Sequence, residues 1–208
     1  MQSMPLQQFL DDLASAAPTP GGGGAAAIMG AMGAALISMV ANLTIGKKGY
    51  EGVEGEMKAQ LAISEALRAR LMAMVADDVA AFNQLMGAYR LPKETDEQKA
   101  LRSEGIQEGL KQATRVPLAC VKICAKAIQV AQRSAEHGNL NVISDTGAGV
   151  LALQAALRSA ALNVYINTPS IKDPVFVASV SKELEALMAE NLPLTEAVYA
   201  KVRSRMGS

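Results

Sequence analysis

An all-α bundle of about six long helices, two of them apolar and central, is the fold this sequence predicts. Three observations carry it. Apolar residues recur at helical spacing along most of the chain, with no convincing run of strand alternation and no internal repeat. From Leu13 to Gly46, 34 residues rich in Ala, Gly and Met carry no charged side chain. Half of the 208 residues are hydrophobic, yet only 3% are aromatic and none is Trp. So thin a core suits closely packed helices better than a sandwich of strands, and the length suits one domain over 1–208.

The first helix is expected from Pro5 to Ala16, with Leu6, Phe9, Leu10 and Leu13 on one face. Pro18-Thr19-Pro20-Gly21-Gly22-Gly23-Gly24 then makes a loop before the apolar helix, which runs to about Leu43. Gly30, Gly33 and Ala34 are small enough to admit another backbone against it. The polar stretch Thr44 to Tyr50 ends it. A third helix spans about Val53 to Arg90, and its apolar positions step 4-3-4-3 through Leu67, Leu71, Met74 or Val75, position 78, Phe82, Leu85 and Tyr89.

Leu91-Pro92-Lys93 breaks that helix, and Thr95 with Gln98 forms a capping-box pattern that starts the fourth. Pro117 is expected to kink or divide the fourth element, which resumes to Glu136 and stops at Gly138. A loop from Asn139 to Asp145 leads into the second apolar helix, about Thr146 to Ile166. Asp173-Pro174 reads as an N-cap followed by proline at the first helical position. The last helical pieces run from there to about Met206, interrupted near Pro193.

Ala25 to Ile45 is long enough to cross a membrane. Its residues are mainly Ala, Gly and Met, with Ser38, Asn42 and Thr44 near its end and no basic cluster before it. A buried central helix is therefore the expectation, with no membrane partner. Helices without charge are hard to cover with one set of neighbours, so a homodimer sharing a helical interface is expected. Twenty basic residues balance twenty acidic ones, which leaves no electrostatic footprint for nucleic acid. Two cysteines and no amino-terminal signal pattern predict a reducing, cytoplasmic setting.

Several features bear on chemistry. The glycine tetrad is either a flexible turn or a bare backbone surface at a helix amino terminus, where free N–H groups and the dipole favour a ligand. It lacks the Lys-Ser/Thr pair of a Walker loop, and no strand precedes it as a dinucleotide fingerprint requires. Asp78 places a carboxylate in the apolar register of the third helix. It is either a buried ion-pair member, with Arg158 a candidate partner, or a proton carrier facing a cleft. Asp77 lies about 100° round the helix, as a solvated or partner residue. Lys47 and Lys48 are either solvated charges at a helix carboxyl end or a site for a polyanionic tail. Asn139, Asn141, Ser144 and Asp145 form a polar cluster outside regular structure, although Asp145 could simply cap the next helix. Cys120 and Cys124 share a helix face, and with the single His137 and no acidic cluster nearby they are expected to pack rather than to hold a metal.

An ordered set of motifs resembles the cyclodeaminase/cyclohydrolase family of folate enzymes. It comprises Ala17 to Gly24, Met39 to Lys48, Asp77-Asp78-Val79-Ala80-Ala81-Phe82, Leu91-Pro92-Lys93, Val116-Pro117-Leu118, Gly138-Asn139-Leu140-Asn141 with Ser144-Asp145, and Asn163-Val164-Tyr165-Ile166-Asn167. The resemblance implies an all-helical dimer with a folate site at helix ends and a catalytic aspartate at Asp78. The implied reaction is hydrolysis of 5,10-methenyltetrahydrofolate to 10-formyltetrahydrofolate; the alternative is formimidoyltetrahydrofolate cyclodeamination. No cofactor beyond the folate substrate is implied, polyglutamylated or not. The substrate-binding residues expected on this basis are Gly21, Gly22, Gly23, Gly24, Lys47, Lys48, Asp77, Asn139, Asn141, Ser144, Asp145 and Asn163. Gly24 stands where many cyclodeaminases have Ser.

Overall fold

A computed structural model describes residues 5–207. Six α-helices and three short 3-10 turns order themselves as α1 (Leu6–Leu13), α2 (Gly22–Asn42), α3 (Glu54–Tyr89), α4 (Asp96–His137), α5 (Ile143–Asn167) and α6 (Pro174–Arg205), and no strand occurs among the described residues. The all-α expectation holds.

The two apolar helices are central. α2 packs against α3 and α5, α4 closes over α3 and α5, and α6 lies on α4 and α5. Small residues decide how closely α2 and α5 approach. A β-carbon on Gly33 would stand 2.7 Å from the Gly149 carbonyl and from Leu153 Cγ, so glycine is required at that crossing. Ala26, Ala34, Ile37, Leu71, Val121, Ile128, Leu153 and Leu157 are almost fully buried around it. α2 and the segment 140–170 are both long and apolar enough to cross a membrane, but most of the apolar stretch of α2 is covered by its neighbours. Cys120 and Cys124 are free and buried, as packing residues should be.

Several boundaries differ from expectation, each for a local reason. α1 ends at Leu13 rather than Ala16, because the Ser15 hydroxyl donates to the Asp12 carbonyl and accepts from the Ala17 amide, an alternative to continued helix. α4 passes through Pro117 undivided. Proline leaves the carbonyl four residues back without its helical donor; that carbonyl, Ala113, accepts instead from Asn167 Nδ2 at 2.9 Å. α6 likewise continues through Pro193, with Leu184, Val198 and Val202 buried on both sides of the proline. α5 begins at Ile143, so Ser144 and Asp145 lie in its first turn and not in a loop. The Thr95–Gln98 capping box forms as expected, and Asp173 accepts from the amides of Val175 and Phe176.

Candidate functional site

Where the amino terminus of α2 meets α3 and the carboxyl end of α5, a cavity of about 460 Å³ opens. The glycine loop contributes Gly21, Gly22 and Gly23, α3 contributes Asp78, Phe82, Leu85, Met86 and Tyr89, and α5 contributes Asn163 and Asn167. The stripe on α3 explains the geometry. Leu71, Met74, Val75 and Leu85 of that stripe are buried, while Asp78 and Phe82 are half-buried because the cavity replaces protein over them.

Asp78 is held by backbone. Its Oδ2 accepts from the Gly24 amide at 3.0 Å. The first turn of a helix leaves its amides without intrahelical partners, so the N–H groups of Gly22 and Gly23 remain for a ligand at the cavity wall. Burial pushes the Asp78 carboxyl above the ordinary carboxylate value, and the Gly24 amide only partly opposes this. A half-buried acid of raised pKa, open to a cavity, is suited to take up and return a proton.

Of the tetrad, one position strictly demands glycine for packing. A β-carbon on Gly23 would fall on the Asp78 carboxylate, while one on Gly24 would make ordinary contacts of 3.6 Å with Pro20 and 3.7 Å with Val75. Gly22 faces Asn163, whose Nδ2 would lie 3.6 Å from such a carbon. Asn163 donates to the Ser159 carbonyl, and Asn167 donates to the carbonyls of both Ala113 and Asn163. Asn163 thus lines the cavity with its carboxamide beside Gly22.

The structure divides the residues singled out from the sequence into two groups. Gly21, Gly22, Gly23, Asp78 and Asn163 come together, with Gly24 supplying the amide beneath Asp78. Lys47, Lys48, Asn139, Asn141, Ser144 and Asp145 gather at the opposite end of α2, whose 21 residues span about 31 Å. Asn139 is structural there. Its Nδ2 donates to the Leu43 carbonyl, its amide to Thr44 Oγ1, and its Oδ1 accepts from the Asn141 amide. Asp77 also leaves the site, paired with Arg70 at 2.6 Å beside a separate recess. Arg158 is exposed and lies apart from the Asp78 cavity lining, so it is no buried partner for Asp78. Thr19, Phe82, Tyr89 and Asn167 also line the cavity without having been expected as site residues, although periodicity had put Phe82 and Tyr89 on the apolar stripe of the third helix. For Asn167 the signal was present, since a proline inside α4 leaves a carbonyl needing a donor.

The sequence model of the formiminotransferase-cyclodeaminase family matches residues 5–186. The chain is 59% identical to a methenyltetrahydrofolate cyclohydrolase of Methylorubrum extorquens, over 97% of each chain. It is 35% identical to the formimidoyltransferase-cyclodeaminase of Sus scrofa, over 97% of this chain but only 37% of that longer protein. Among solved structures, a formiminotetrahydrofolate cyclodeaminase from Thermotoga maritima superposes with a TM-score of 0.85 at 32% identity, covering 99% of this chain and 97% of that one.

Proposed function

The chain belongs to the formiminotransferase-cyclodeaminase family, and from that premise we propose that it hydrolyses 5,10-methenyltetrahydrofolate to 10-formyltetrahydrofolate. The choice of reaction is supported by the 59% identity to a cyclohydrolase over the full length. The observation that carries the mechanism is the placing of Asp78, a carboxylate of raised pKa at the wall of a glycine-lined cavity.

The substrate carries a cationic amidinium across N5 and N10. In the proposed reaction water adds to the bridging carbon and gives one proton to Asp78. As the bond from that carbon to N5 breaks, Asp78 returns the proton to N5. The remaining hydroxyl proton leaves to solvent as the formyl C=O forms on N10, so one water enters and one proton is released overall. The amides of Gly22 and Gly23 suit the oxygen as it gains electron density, because a helix amino terminus favours negative charge. Phe82, Leu85 and Tyr89 offer the apolar wall that the benzoyl ring of a folate needs.

The same groups could serve cyclodeamination, in which N10 attacks a formimino carbon and ammonia leaves. The Thermotoga neighbour favours that second reading. Spectrophotometry with purified protein separates them. Loss of methenyl absorbance on hydrolysis supports the first, and ammonia release from the formimino substrate without it supports the second.

This reading includes a homodimer in the cytoplasm. Ile28, Met32, Ala35 and Met39 follow one another at 4-3-4 spacing on an uncharged helix, the seam spacing of paired helices. Met32 and Met39 are 56% and 43% exposed, beside an apolar groove formed with Phe9, Pro20 and Met72. Antiparallel pairing of two α2 helices would bring the Lys47–Lys48 and Asn139–Asp145 end of one protomer beside the glycine end of the other. Such an arrangement reunites the two groups of residues that a single chain holds apart.

A further inference from the structure

Two walls of the Asp78 cavity, α3 and α5, run the same way. At one end a β-carbon on Gly22 would lie 3.6 Å from Asn163 Nδ2 on α5, and one on Gly23 would fall on Asp78 of α3. At the other end Tyr89 of α3 and Ser170, just past α5, line the cavity together. Their carbonyls accept from one stretch of α4, from Arg102 at 3.2 Å and from Gln107 at 3.1 Å. Between these ends α3 presents apolar side chains, Phe82, Leu85 and Met86, and α4 presents Leu110 and Ala113. Asn167 is the one polar side chain of that middle stretch among the described residues.

The Asn167 carboxamide has a fixed sense. Its Nδ2 donates to two main-chain carbonyls, Ala113 at 2.9 Å and Asn163 at 2.8 Å. Turning the group over would set Oδ1 against both carbonyl oxygens. Asn167 also stands at the N-cap of the 3-10 turn Thr168–Ser170, where an asparagine oxygen commonly accepts from the backbone, yet it forms no such bond. Both hydrogens are therefore committed, and Oδ1 is the atom left to accept.

We infer that Asn167 Oδ1 accepts the N–H of the amide that joins the benzoyl ring of the substrate to its first glutamate, and so selects the aminobenzoyl-glutamate portion of a folate. The inference rests on the folate reading above. The lengths agree with it. From Asn163, level with the glycines, to Asn167 the helix α5 advances about 6 Å. By ordinary bond lengths, N10 of a folate lies about 6.5 Å from that amide nitrogen. With the one-carbon bridge at Asp78 and the benzoyl ring against Phe82, the amide comes level with Asn167. Without this acceptor the amide N–H would lie unpaired in an apolar stretch, which weakens binding. The amide takes no part in the reaction, so the contact bears on which ligand binds and not on the proton transfer.

The test compares kcat/KM for methenyltetrahydrofolate and for its ester counterpart, in which oxygen replaces the amide N–H. Asn167→Ala alone would also strand the Ala113 carbonyl. The change is therefore made in the Pro117→Ala background, where a backbone N–H serves that carbonyl. Wild type and Pro117→Ala should prefer the amide about five- to tenfold, the size of one hydrogen bond between neutral groups. In Pro117→Ala/Asn167→Ala that preference should fall to within about twofold. A merely structural role for Asn167 would slow both substrates alike and keep the preference. An undiminished preference in the double variant, or none in either parent protein, overturns the inference. Should neither compound be hydrolysed, the cyclohydrolase reading fails by itself. Titration calorimetry of tetrahydrofolate and its ester counterpart then decides the contact by the same ratio, and equal affinities overturn it.

Discussion

The carboxylate of Asp78 stands where a β-carbon of residue 23 would have to be, with Oδ2 only 2.8 Å from that position. The acid and the bare backbone are therefore parts of one device. Gly23 makes room for the carboxylate, and Gly24, the next residue, donates the amide that orients it.

Gly23→Ala should displace Asp78 and cut kcat/KM by about 100-fold, the cost of moving a catalytic group by roughly an ångström. Gly24→Ala should keep activity, since its β-carbon meets only ordinary contacts. It should also stabilise α2, because alanine favours a helix by up to about 1 kcal/mol over glycine. Steady-state kinetics and denaturant titration check both.

Asp78→Asn should lower kcat by about 10²- to 10⁴-fold while the folate still binds. Its effect on stability has the opposite sign. The folded-state pKa lies above the ordinary value of 3.8, so ionisation of Asp78 weakens the fold as pH rises from that value through the folded pKa. The Asn variant should be more stable than wild type at neutral pH, and the difference should vanish below 3.8. Thermal melts across pH measure this. The acid limb of the wild-type kcat profile should likewise fall above the usual aspartate range.

Asn167→Ala should cost about 1–3 kcal/mol, because it strands the Ala113 carbonyl that Pro117 cannot serve. Pro117→Ala restores an N–H to that carbonyl. In this background the same Asn167→Ala change should cost less. A double-mutant cycle in urea reads the coupling directly, and no coupling would mean that the two residues act independently.

Met32→Glu/Met39→Glu puts charge on the exposed seam of α2. The variant should sediment as a monomer, with its helical circular dichroism retained and hydrolysis reduced. A wild-type protein that sediments as a monomer would refute the shared interface.

Much of the fold was legible because helix signals are local. The capping box at Thr95, the Asp173-Pro174 start and the 4-3-4-3 stripe of α3 each depend on neighbours a few residues away, and each formed. Proline was over-read for the same reason. Pro117 and Pro193 break helices in isolation, but α4 and α6 are supported from outside, by Asn167 in one case and by a buried face in the other.

Chain order alone established six helices, an acid in an oily register and a run of glycines that could face it. Only the tertiary structure decided which helix ends share a cavity. The close crossing at Gly33 and Gly149 fixes how α2 lies on α5, and that packing carries Asn163 and Asn167 to the glycines while sending Lys47, Lys48 and Asn139 to the far end. Periodicity records which face of a helix is covered; which end of it meets a neighbour depends on contacts between residues distant in sequence.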